Sequence, residues 1–187
     1  MRFIVAAVCS VWALAAMAQE SFVTLKPATQ NMAWYLRAEF HALHKEIRGI
    51  PVGQLNKGWC KATEFTLKGL PQEALNESES LTGGSLAFAV DANLDGSPRM
   101  QTALVGLFET CGGEKGQFLL ILDQGTRNIR FVGGSVSKHQ FAALRVEADS
   151  TLTVMYCMDC DFSGSLQWDA EKKSFEWVKE DEDEDGN

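Results

Sequence analysis

Residues 86–123 read LAFAV (86–90), DANLDGSPRM (91–100), QTALVGLFET (101–110), CGGEKG (111–116) and QFLLILD (117–123). ALVGLF and FLLIL are unbroken apolar runs, the pattern of strands covered on both faces. The glycine-rich CGGEKG between them reads as a hairpin connection. The polar 91–100 segment between two strand signals is the loop with the most defined chemistry in the chain.

Downstream of this pair the pattern stays short and strand-like. NIRFVGG, TLTVMYC, SLQWD and SFEWV follow, the last two joined by AEKK. Between them, 137–145 is expected to form one or two helical turns, with Ser137 and Gln140 in capping-box spacing and Phe141 and Leu144 pointing inward. Upstream, NMAWYLRAEFHALHKEIRG sets Met32, Leu36, Phe40, Leu43 and Ile47 at steps of four, four, three and four, one face of a helix. Asn31 suits an N-cap, and Gly49 with Pro51 suits the stop. Residues 50–85 are expected to give a short strand or turn near 59–67 and then a surface loop. These elements make an α+β fold: a mostly antiparallel sheet of about six strands with one N-terminal amphipathic helix packed on it. No βαβ alternation is present, which excludes Rossmann and TIM-barrel architectures.

Residues 1–18 have the layout of a secretory signal peptide: Arg2, an apolar run from Phe3 to Ala16, and the small-x-small ending Ala16, Met17, Ala18. The remainder is expected to be one domain over 19–178 with an acidic disordered tail at 179–187, and to work in the periplasm or outside the cell. Of the net charge of −8, residues 180–185 (EDEDED) supply −6. No basic surface suggests nucleic acid, and the negative balance disfavours anionic membranes. Cleavage would leave Cys60, Cys111, Cys157 and Cys160, an even count that reads as two disulfides with the pairing open. Zinc held by all four thiols is the rival, though Cys60 and Cys111 lack paired spacing. Cys157, Met158, Asp159 and Cys160 form a CxxC that follows a strand and leads into another. It therefore reads as a strand-to-strand turn, and Asp159 and Asp161 would raise a thiolate's pKa.

Asp91, Asn93 and Asp95 stand at positions one, three and five of a loop whose sixth residue is Gly96, the spacing that brings oxygen ligands around a calcium ion. Position twelve is Thr102 where an EF-hand has glutamate. The strand–DxNxDG–strand arrangement resembles one copy of the FG-GAP or VCBS type of repeat over about residues 86–108. That resemblance implies calcium on Asp91, Asn93 and Asp95. Those families use many copies, and they place an acidic residue where this chain has Arg99. A guanidinium there suggests that Arg99 substitutes for the ion by pairing with Asp91 or Asp95.

Other motifs have plain readings. Asn76, Glu77 and Ser78 match a glycosylation sequon within a polar loop. His41 and His44, three apart, flank the expected helix stripe, where the pair could join a third metal ligand. Trp59, Trp168, Trp177, Tyr156, Phe162 and Phe175 form either a core layer or a recognition face for a protein or carbohydrate partner, with Leu166, Trp168, Phe175 and Trp177 on one face of a ribbon. No GxSxG, HExxH or phosphate loop is present. The expectation is a non-catalytic domain that binds or inhibits another macromolecule. The alternatives are a hydrolase using the acidic residues near 91–95 and a calcium-stabilised structural component.

Overall fold

The computed structural model describes residues 21–28, 32–158 and 160–178. The expected leader, the Asn31 cap, Asp159 and the acidic run at 179–187 lie outside them. Among the described residues no helix is long and apolar enough to cross a membrane.

The two apolar runs do form the central strands, β7 (Gln101–Thr110) and β8 (Lys115–Asp123), joined through the turn at 111–114 where Gly113 takes φ +87°. In numbering the strands along the chain, β1 is Val23–Leu25, β2 Ala38–Phe40, β3 Glu46–Ile47, β4 Ile50–Pro51, β5 Trp59–Glu64 and β6 Ala89–Ala92. After the central pair come β9 (Ile129–Val136), β10 (Ala143–Val146), β11 (Leu152–Met155), β12 (Ser163–Asp169) and β13 (Ser174–Trp177). β7 is long enough to pair along one edge with two strands in succession, β6 opposite residues 101–104 and β5 opposite 106–110. With β8 and β9 they make a five-stranded sheet. β10, β11, β12 and β13 form a second, four-stranded antiparallel meander.

Alternation explains the unbroken runs. Ala103, Val105 and Leu107 of β7, with Leu119 and Ile121 of β8, enter the core shared with the second sheet, which also takes Leu144, Leu152, Val154 and Leu166. Leu104 and Phe108, with Phe118, Leu120 and Leu122, face the other way and are covered by Ile47, Ile50, Val52, Leu55 and Trp59. A strand apolar at every position is one whose two faces are both dry. On the second face, Gly106, Gly116 and Gly134 stand in register beside Phe118 and Phe108 across β7, β8 and β9. A Cβ at Gly106 would strike the Thr63 carbonyl oxygen and the Phe118 ring. The missing side chains make room for the aromatic layer in which Trp59 stacks on Phe108 at 4.2 Å and 10°.

The N-terminal amphipathic helix does not form, so the fold is mostly antiparallel β and not an α+β fold with a helix packed on the sheet. The segment is instead a 3₁₀ turn (Trp34–Leu36), β2, and the β3–β4 hairpin. Leu36 is 53% exposed and Met32 44%, whereas Phe40 and Ile47 are buried. Partners distant in sequence decide this: Phe40 pairs with Val23, Thr63 Oγ1 accepts from the Leu43 N–H at 2.7 Å, and His44 bridges Ala62. Gly49 at φ +75° does not stop a helix; with Arg48 at φ +50° it makes the two-residue turn of the hairpin.

Two further expectations change. Residues 67–82 are not an open loop but a 3₁₀ turn (Leu67–Gly69) and the short helices Gln72–Asn76 and Glu79–Thr82. Ser78 there is fully buried, accepts from Trp34 Nε1 at 2.7 Å and donates to the Ala74 carbonyl at 2.6 Å. The helical turns expected at 137–145 are irregular chain followed by β10, although Phe141 and Leu144 are buried as expected.

Candidate functional site

The cysteines pair as Cys60–Cys111 and Cys157–Cys160. Between Trp59 and Lys61 the pairing with β7 slips by one residue. Cys60 is the extra residue of that bulge, which aims it at Cys111 just past the end of β7. The CxxC closes the turn between β11 and β12, as its sequence context suggests, and the two pairs leave no four-thiol zinc site.

The 91–100 loop connects β6 to β7, and its acidic side chains face partners within the protein. Asp91 Oδ1 accepts from Thr102 Oγ1, and its Oδ2 accepts from Gln124 Nε2 at 2.8 Å. Asn93 donates its amide to the Ser97 carbonyl. Asp95 accepts from the Ser97 N–H at 2.9 Å and from Arg130 Nη2 at 2.8 Å. Gln101, fully buried, accepts from the Leu94 N–H at 2.8 Å and donates to the Arg99 carbonyl at 3.1 Å. The guanidinium that sequence reasoning assigned to Arg99 therefore comes from Arg130, while Arg99 is exposed. A one-residue bulge at Arg130, between partners Ile121 and Leu122, turns its side chain towards the loop. Its Nη1 also meets Asp123 at 3.0 Å, and its Cζ lies 5.1 Å from the Trp168 ring centroid. Desolvation works to raise the Asp95 carboxyl, but the Ser97 bonds and Arg130 outweigh it and hold the group below the usual carboxylate range. In this arrangement the Arg130 guanidinium supplies the positive charge between the Asp95 and Asp123 carboxylates. Among the described residues no group of three or more His, Cys, Asp or Glu side chains is placed to hold a metal. His41 and His44 flank an extended segment, with His41 against Thr24 Oγ1 at 3.2 Å and His44 in the bridge to Ala62.

Among several openings in the described fold, one lies between the two sheets. On one side the two sheets are joined by the bridge between Ala87 and Leu144. On the other, β9 and β13 are not hydrogen-bonded to each other, and a cleft of about 190 Å³ lies beside them. Leu119, Gly133, Ser135, Val154, Tyr156 and Trp177 line it. A Cβ at Gly164 would crowd the Trp177 indole at 3.2 Å, and one at Gly133 would strike the Phe131 ring at 2.8 Å. Tyr156 packs against Phe162 at 5.1 Å, and burial pushes its phenol pKa up, so it enters the cleft neutral. Gln117, with its amide nitrogen donating to the carbonyls of His139 (3.2 Å) and Phe141 (3.0 Å), ties the 137–142 segment beside the cleft. Phe162 is 67% exposed and Trp177 42%.

Of the aromatic residues singled out in the sequence, Tyr156, Phe162 and Trp177 come together here. Trp168 and Phe175 pair across the ribbon at 5.0 Å, and Trp59 lies on the far face of the five-stranded sheet. Sequence reasoning missed Arg130, whose role depends on a bulge, and the Gly133–Gly134 pair, whose signal was two glycines inside a strand pattern. The cleft offers apolar walls, a hydroxyl, a phenol and backbone groups, and no carboxylate or imidazole among its lining residues. Comparison of the chain with family models, curated proteins and solved structures finds no match.

Proposed function

We propose that this chain is an exported, non-catalytic binding domain that holds another macromolecule through the cleft between its two sheets. The observation that carries this reading is the aromatic, glycine-backed cleft, in which a half-exposed tryptophan and a neutral tyrosine line an opening free of ionised side chains. Tryptophan and tyrosine are the side chains that most often anchor macromolecular interfaces. Export is supported by the leader-like residues 1–18 and by two disulfides, which persist in oxidising compartments. The hydrolase alternative would need free carboxylates near 91–95, and those of Asp91 and Asp95 are committed to neighbours.

The test is retention from an envelope or secreted-protein extract on immobilised protein, run in parallel with Trp177→Ala. The reading expects a stoichiometric partner held by the wild type and lost by the variant. Equal retention by both, or retention of nothing, overturns it.

A further inference from the structure

The Ser137 N–H donates to the Lys115 carbonyl at 3.2 Å, which fixes the parity of the β8–β9 ladder. Counting back by twos, Ser135, Gly133 and Phe131 exchange bonds with β8, so Val132, Gly134 and Val136 direct their N–H and C=O groups away from it. Among the described residues no strand pairs with that edge. The same count on β13, from the Val178 N–H bond to the Ser165 carbonyl at 2.8 Å, turns the backbone groups of Trp177 and Phe175 outward. Among the described residues, two strand edges without a partner thus border one cleft. Exposed edges are ordinarily guarded by charge, proline or a bulge. The 132–136 stretch reads VGGSV, without charge or proline, and the bulge of β9 lies at its opposite end.

We propose that this edge accepts an extended, cationic peptide segment of another protein, added as a strand to β9 with its alternate apolar side chains against Trp177 and Tyr156. This rests on the binding reading above and narrows the partner to a polypeptide. An unpaired ladder asks for amide groups at strand spacing, which a carbohydrate does not supply. The charge follows from the chain itself: one residue after Val178, beside the cleft's Trp177, begins EDEDED at 180–185. In the sequence these six carboxylates all fall within eight residues of Trp177. They favour a basic ligand and repel an acidic one. A second copy of this chain is disfavoured because it would bring the same acidic run.

The probes are nine-residue peptides: one alternating valine and lysine, one alternating valine and glutamate, and a valine–lysine peptide with its central valine replaced by proline. Binding to the full exported chain is followed by tryptophan fluorescence and by amide hydrogen exchange. The proposal expects the valine–lysine peptide to bind and to protect the amides of Val132, Gly134 and Val136. Val136→Pro, which removes an outward N–H and no bond to β8, should abolish that binding without lowering the melting temperature. Neutralising the acidic run in the intact chain (E180Q, D181N, E182Q, D183N, E184Q and D185N) should weaken binding by about tenfold at low salt. Equal binding of the proline or glutamate peptide, absence of edge protection, or protection arising only from self-association would overturn the proposal. If the peptides fail while Trp177→Ala still loses a partner from extract, only this inference falls. If that partner is also absent, the binding reading falls with it.

Discussion

Arg130 Nη2 lies 2.8 Å from Asp95 Oδ2, and the same guanidinium sits 5.1 Å from the centroid of the Trp168 ring. One side chain thereby links the β6–β7 loop, the end of β8 through Asp123, and a strand of the second sheet. The carboxylates it holds are nearly dry, with side-chain exposures of 3% for Asp95 and 8% for Asp123.

Removing the guanidinium strands two buried anions. Arg130→Ala should therefore destabilise the protein by about 3 kcal/mol, the low end of the range for a broken buried pair, because Arg130 itself keeps some solvent contact. Arg130→Lys should recover only part of this, since an ammonium cannot bridge both carboxylates with a planar fork. Urea denaturation of the three proteins measures it, and an unchanged midpoint for Arg130→Ala would contradict the role given to this residue.

The same geometry speaks to calcium. With Asp95 held by Arg130 and Asp91 by Thr102 and Gln124, millimolar calcium should leave the melting temperature of the wild type unchanged. A shift of several degrees upward would show that the loop rearranges into a cation site after all.

Acid should weaken the node. The folded Asp95 carboxyl sits below its unfolded value, so its contribution is fully present above about pH 3.9 and is lost as pH falls through the lower folded value. Asp95→Asn should show a shallower loss of stability over that acid range than the wild type, when both are followed by denaturant midpoints from pH 6 downward. Parallel curves would remove Asp95 from the account.

The two disulfides should differ in weight. Cys60–Cys111 spans 51 residues and Cys157–Cys160 only 3. Loop-closure entropy assigns them about 4 and about 2 kcal/mol. Paired serine variants, compared by denaturant midpoint, should rank in that order. The reverse ranking would mean that native packing around the short loop, rather than chain entropy, sets its contribution.

Whatever depends on local period and turn chemistry was legible in the chain. The central hairpin is the clearest case: its two apolar runs and glycine turn admit few arrangements besides β7 and β8. The 12–13 ribbon is another, since alternation alone puts Leu166, Trp168, Phe175 and Trp177 on one face, and the register pairs Leu166 with Trp177 and Trp168 with Phe175. The strand-to-strand placement of the CxxC was equally local.

The 32–47 segment shows the limit. Its stripe fits a helical period, but Phe40, Leu43 and His44 are claimed by Val23, Thr63 and Ala62, partners 17 to 20 residues away, and those bonds outweigh a weak helical preference. Of the candidate site, the sequence offered Tyr156, Phe162 and Trp177 as aromatic candidates but not the cleft that gathers them. Which arginine reaches Asp95 depends on a single-residue bulge, and the cleft exists because two sheets meet on one side and part on the other. By itself the sequence determined where the central strands, their turn and the C-terminal ribbon would form, because side-chain alternation is a property of neighbours along the chain. Only the tertiary structure decided which edges stay unpaired and which aromatic rings face the opening, because those follow from pairings between residues far apart in sequence.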